Sequence, residues 1–177
     1  MPSPSKRKIV AIRGARRFLE YLCFLGGTLT RSQTLRIFGL RAAASRALAR
    51  RKFERAGRYA DELLTWAAAH PDDRNCGNAI HHGYTVRGQV ALEQGNLDQA
   101  CNDLHASAQT RGSPQLNSFG PNMQLAERLL DVGRKDAVLE YLDCCHAFWE
   151  MGEDKLDTWM ADIRRGKAPA FEANLAF

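Results

Sequence analysis

The sequence predicts an all-α fold of stacked helical hairpins. Sustained period-2 alternation of apolar and polar residues, the mark of half-buried strands, is missing from its 177 residues. Three glycine-centred segments recur instead: Gly57-Arg58-Tyr59-Ala60-Asp61, Gly95-Asn96-Leu97-Asp98-Gln99-Ala100 and Gly133-Arg134-Lys135-Asp136-Ala137-Val138. Their glycines are 38 residues apart both times. Each lies between two apolar patterns of helical period, as a tight helix–turn–helix requires, and glycine supplies the unusual backbone of such turns.

Residues 8–56 read as one or two Arg-rich helices broken near Gly26-Gly27. The first unit follows, with Tyr59, Leu63 and Trp66 as its apolar face, and His70-Pro71-Asp72-Asp73 ends a helix and offers caps for the next. In the middle unit, Tyr84, Val86, Gly88, Ala91 and Leu92 form a first helix, Gly95 the turn, and Ala100, Leu104 and Ala108 a second helix, stopped by Gly112-Ser113-Pro114. Gly120-Pro121 opens the third unit, with proline at a favoured first-turn position. Ala126, Leu129, Leu130, Val138, Leu139 and Leu142 carry on its core. A last helix from about Asp154 to Arg165, apolar at Leu156, Trp159, Met160 and Ile163, caps the stack, and Gly166 stops it. The organisation expected is a basic segment over residues 1–30 and a repeat domain over residues 31–177.

The middle unit resembles the tetratricopeptide repeat at its small-residue positions, filled here by Gly88, Gly95 and Ala100. The resemblance implies helices that cross closely, and a stack of about three hairpins plus the capping helix. The 38-residue spacing is four longer than the usual repeat, and Glu62 stands where alanine is expected. Residues 57–175 also resemble a group of bacterial helical-repeat proteins of no established activity. That likeness rests on Gly77-Asn78-Ala79-Ile80-His81-His82-Gly83 and on the run from Gly112-Ser113-Pro114 to Pro121-Asn122-Met123. It implies the fold and no chemistry.

Charge divides the chain. Residues 1–58 hold 15 Lys/Arg against 2 Asp/Glu, while residues 59–177 hold 10 against 18. A basic segment of this kind binds nucleic acid or an anionic lipid surface, or docks on the acidic remainder. Hydrophobic residues make up 45% of the chain, enough for a real core, which excludes wholesale disorder. No apolar run reaches the ~20 residues that span a bilayer. Phe18 to Leu29, after Lys6-Arg7-Lys8, has the position of a secretory signal, but Glu20 interrupts it and no small-residue cleavage site follows. The Arg-rich, acid-poor start also has the composition of an organelle transit peptide. Five cysteines without a framework suit reduced thiols and a cytoplasmic location.

Local chemistry is sparse. His81 and His82 diverge by about 100° on a helix and cannot share one metal ion. Cys101/His105 and His146/Glu150 are helical half-sites without a matching half. No phosphate loop, dinucleotide fingerprint, nucleophile elbow or zinc-protease motif occurs, so neither catalytic residues nor a cofactor nor a metal is expected. Consensus mapping instead lines a concave face with Arg51, Arg55, His82, Gln89, Glu93 and Glu127, and the amide-rich loop from Ser113 to Asn122 either caps the next helix and satisfies loop backbone groups or brings Asn117 and Asn122 to the edge of that face. The expected activity is therefore non-catalytic binding of another protein, as a peptide or a helix, on that face. The alternative is an accessory role on nucleic acid or an anionic membrane surface through residues 1–58.

Overall fold

The structure, a computed structural model, describes residues 33–175, with side chains from residue 35. The segment over residues 1–30, its break at Gly26-Gly27 and the thiol of Cys23 lie outside the described residues. Eight α-helices occur among the described residues, and no strand: α1 Gln33–Ala49, α2 Phe53–Ala69, α3 Cys76–Glu93, α4 Leu97–Ala108, α5 Pro114–Phe119, α6 Gln124–Asp131, α7 Lys135–Cys145 and α8 Glu153–Arg164. Two 3-10 turns, Glu150–Gly152 and Glu172–Leu175, flank α8. The pairs α1/α2, α3/α4 and α6/α7 are helical hairpins, packed in succession, with α8 against α7.

The hairpin turns share one hydrogen-bond pattern. At Gly95 (φ 79°) the amide donates to the Leu92 carbonyl, and the next amide, of Asn96, donates to Ala91. Gly133 (φ 81°) and Arg134 repeat it onto Leu130 and Leu129, and Gly166 (φ 73°) ends α8 in the same way. This is the Schellman closure, in which a left-handed residue lets two amides reach back to the last helical carbonyls.

The first hairpin departs from the sequence expectation. Its turn is Arg50–Lys52, where Arg51 adopts φ 56° and donates to Leu48 while Lys52 donates to Ala47. Gly57 is not a turn residue: it lies inside α2, and a methyl group there would meet nothing within 4 Å. The left-handed positions are thus Arg51, Gly95 and Gly133, separated by 44 and then 38 residues. A search for glycine misses the first turn because arginine occupies it, at a cost of about 1–2 kcal/mol.

The third hairpin also begins differently. Pro114, not Pro121, sits in the first turn of a helix: α5, capped by Ser113, whose hydroxyl accepts from the Leu116 amide at 3.0 Å. Pro121 lies in the irregular link Gly120–Met123, and α6 starts at Gln124.

The middle of the molecule is α3, between α2 and α4, touching α1, α5 and α6 as well. Close approach is built into it. At Gly88 a β-carbon would strike Leu125 and press on Asp103 and the Ala100 carbonyl; at Gly83 it would strike Leu64. Alanines let α1 and α2 approach closely (Ala44, Ala47, Ala56, Ala60) beside the larger Ile37, Leu63 and Trp66, and the core toward α8 is bulky throughout (Leu104, Leu125, Leu129, Tyr141, Leu142, Trp149, Trp159). Leu156, Trp159, Met160 and Ile163 are all buried, as the apolar face of a covering helix should be.

Two substitutions follow in opposite directions. Gly57→Ala should raise the unfolding free energy by roughly 0.5–1 kcal/mol, since alanine restricts the unfolded chain and meets nothing in the folded one. Gly88→Ala should lower it by roughly 1–3 kcal/mol through overpacking. Urea denaturation of the two variants beside the parent chain checks both signs.

Candidate functional site

A helix packed on two sides still has two other faces. On α3 the outward one carries Ile80, Tyr84 and Arg87, all partly exposed. The inward one carries Asn78, His82, Thr85, Gln89 and Glu93, whose spacing of four, three, four and four residues stacks them along one side. Asn78, His82, Thr85 and Gln89 are buried. A polar stripe withdrawn from water demands partners for each group.

Three of the five have them. The Asn78 amide donates to Gln115 at 2.8 Å and accepts from the Ser113 hydroxyl at 2.9 Å. His82 Nε2 lies 3.1 Å from the Arg41 carbonyl and 3.1 Å from Ser45 Oγ, both on α1. A carbonyl only accepts, so the proton sits on Nε2 and the ring donates. Burial, reinforced by the Arg41 charge, holds the His82 pKa down to about 3. With its Nε2 lone pair protonated away, His82 does not act as a base toward Ser45. Glu93 accepts from Arg128 of α6 at 2.6 Å and pairs with Arg51, in the α1–α2 turn, at 3.1 Å. The stripe therefore runs between α1 on one side and α6 on the other.

Thr85 and Gln89, in the middle, are different. Thr85 is 2% exposed and its hydroxyl has no partner. Gln89 is 6% exposed, and no described residue hydrogen-bonds its amide. The other unpartnered buried donors include Trp66 Nε1 and Trp149 Nε1, which belong to indoles of the apolar core.

The remaining candidates separate. Asn122 is buried in the α5–α6 link: its amide donates to His81 Nε2 at 2.9 Å, its side-chain oxygen caps α6 through the Gln124 amide at 3.0 Å, and its carbonyl accepts from Tyr141 at 3.3 Å. Asn117 turns its side-chain oxygen back on the Ser113 amide at 3.0 Å and closes the start of α5. Arg55 is exposed and spends its Nε–H on the Tyr59 hydroxyl at 3.0 Å. Glu127 is exposed on α6. The structure thus brings Arg51, His82, Gln89 and Glu93 onto or beside one stripe and leaves Arg55, Asn117, Asn122 and Glu127 off it.

Sequence reasoning missed Thr85 and Arg128. Thr85 was visible as the polar residue between His82 and Gln89 at helical spacing. Arg128 had no local signal, because its partner Glu93 is 35 residues away.

His81, on the side of α3 next to the stripe, donates from Nδ1 to the Ser107 carbonyl at 3.1 Å and accepts at Nε2 from Asn122. Burial holds its pKa down to about 4. Cys76, Cys101, Cys144 and Cys145 are free thiols, each pushed above the usual range first by burial. Among the described residues no three His, Cys, Asp or Glu side chains converge as metal ligands, and no helix is long and apolar enough to cross a membrane. Two shallow clefts, of about 380 Å³ beside Arg87, Gln94 and Asn96 and about 310 Å³ beside Trp159 and Phe171, lie off the stripe.

The chain matches no protein-family model, no curated protein and no solved structure.

Histidine burial gives a pH signature. Both rings are neutral when folded down to about pH 4 and pH 3, but protonate near pH 6.5 when unfolded. The unfolded chain binds the extra protons, so stability present above pH 6.5 is lost as pH falls toward 4. Each histidine accounts for about 1.4 kcal/mol per pH unit in that window. Urea midpoints measured from pH 7 to pH 4 should fall with a slope approaching two protons, and His82→Gln should remove about one. In the same assay Asn122→Ala should cost roughly 1–2 kcal/mol through the lost α6 cap.

Proposed function

We propose that the chain is a non-catalytic, tetratricopeptide-like interaction module whose inward face receives an extended or helical segment of a partner protein. The observation that carries this reading is the polar stripe on α3 between α1 and α6, where the buried Thr85 hydroxyl has no partner and the Gln89 amide, one helical turn away, hydrogen-bonds no described residue. Leaving such a group unpaired costs roughly 1–3 kcal/mol, a penalty that a ligand with peptide groups removes. A glutamine amide offers one donor and one acceptor side by side, the complement of a single peptide unit. Glu93 with Arg51 and Arg128 adds a charged end to the stripe. Rigid helices hold these groups in place, so little ordering entropy is lost on binding. The free thiols suit a reducing, cytoplasmic setting.

The test separates function from architecture. Thr85→Val and Gln89→Leu replace unpartnered polar groups with apolar groups of similar size. Thr85→Val, which removes a buried unpartnered hydroxyl, should stabilise the chain by roughly 1 kcal/mol, and both variants should weaken retention of its partner in affinity capture from the native host. Partner recovery equal to that of the parent chain would sink the reading.

A second reading rests on a different observation. Arg50, Lys52 and Arg58 are exposed, and no ion pair holds them. They continue the basic run over residues 1–58 and suit a polyanion, nucleic acid or anionic lipid. Binding to duplex DNA or to phosphatidylserine vesicles that weakens steeply with salt would support this reading; indifference to salt would remove it.

A further inference from the structure

Arg50, Arg51, Lys52, Arg55 and Arg58 crowd the turn between α1 and α2 and the first turns of α2. All five are exposed, with Glu54 the one acid among them, and Asp61 and Glu62 bound the patch further along α2. Like charges this close repel, and at the start of α2 they also oppose the helix dipole, a cost that a bound polyanion removes. Resting on the polyanion reading of this end of the chain, we propose that the tip of the α1–α2 hairpin docks on the phosphate backbone of double-stranded nucleic acid.

Three features favour this partner over other polyanions. The cations are four arginines and one lysine, and the guanidinium fork matches phosphate oxygens two at a time. Two of the arms are held in place: Arg51 lies 5.3 Å over the Phe53 ring, and Arg55 lies 5.6 Å over Tyr59 while donating to its hydroxyl. Arg51 also pairs with Glu93, yet its side chain stays 74% exposed. Arms fixed in this way lose little freedom on binding. The same contacts occupy the two aromatic rings of the tip, which also pack on the hairpin core. Neither ring is then a free platform for unpaired bases, as a single-strand site requires. Finally, the large apolar side chains exposed among the described residues are Phe119, Val132 and Met151, all away from the tip. The tip has nothing of that kind to sink into a lipid surface.

Spacing agrees with a duplex. Lys52, Arg55 and Arg58 recur every third residue and cover about 9 Å along the helix axis. A duplex strand carries a phosphate every ~3.4 Å of its axis, so the row spans about three of them. Beyond the tip, residues 59–177 hold 18 Asp/Glu against 10 Lys/Arg, and that acidic body turns a polyanion away from the other faces.

The experiment measures binding of the full chain to a short DNA duplex by fluorescence anisotropy across a salt series. Each arm that meets a phosphate adds about 0.9 to the slope of log affinity against log salt. Arg58→Ala should therefore lower the slope by about 0.9 and weaken binding roughly fivefold at physiological salt. Lys52→Ala, Arg55→Ala and Arg58→Ala combined should lower it by about 2.7 and weaken binding on the order of a hundredfold. Arg58→Lys, which keeps the charge, and Arg164→Ala, an exposed cation on α8, should leave the slope as it is. Circular dichroism melts matching the parent chain establish that the variants are folded. A slope that survives the combined substitution overturns docking at the tip and leaves the polyanion reading standing. Tighter binding to a single strand of the same sequence, or binding to phosphatidylserine vesicles and not to the duplex, overturns the duplex as partner. Binding to none of the three removes the polyanion reading as well.

Discussion

The imidazole of His81 ties α3 to the end of α4 and to the link before α6 at once. One nitrogen donates to Ser107 near the end of α4, and the other receives the Asn122 amide in the link to α6. The ring is buried, so both bonds must form for its polar atoms to be satisfied. They also fix its tautomer, with the proton on Nδ1. Once His81 is seated, Asn122 is held where its side chain caps α6 and its carbonyl meets Tyr141, and the third hairpin is set against the second. The inward stripe depends on this arrangement, because Asn122 leads directly into its α6 wall.

His82 does for α1 what His81 does for α6. The adjacent pair, which in a sequence suggests a metal or catalytic site, fastens α3 to its neighbours in two directions about 100° apart. Polar residues at such junctions cost little when fully satisfied and a great deal when half satisfied. The contrast with Thr85 is therefore informative: on the same helix, His81 and His82 are paired, and the buried Thr85 hydroxyl is not.

How much was legible in the sequence follows from the range of the forces involved. Gly95 and Gly133 announce their turns because the left-handed backbone is a local demand, and the apolar face of α8 is legible because helical period is local. The first hairpin was not legible, since Arg51 holds the left-handed position and Gly57, the visible glycine, sits in a helix with free space around it. The partners of His82, Asn117 and Asn122 were out of reach in another way. His82 and Gln89 share one side of α3, but the partners of His82 and Asn122 lie 37 to 41 residues away in sequence. Asn117 was missed for a nearer reason: its oxygen bonds an amide four residues back, in a short helix read as a loop.

The segment after α8 gives the fold an order of assembly. Asn174 accepts the Met123 amide at 3.0 Å and donates to the carbonyls of Phe119 and Pro121, and the Leu175 carbonyl accepts from Gln124. The backbone at the start of α6 is thus completed by residues some fifty positions further on. A ribosome builds the chain from the other direction, so a nascent polypeptide that has already emitted α6 and α7 holds a junction with open donors and acceptors. That junction locks only after residue 175 has emerged. Until then the third hairpin is exposed to nascent-chain chaperones and proteases, and the second is complete only once Asn122 and Arg128 have met His81 and Glu93.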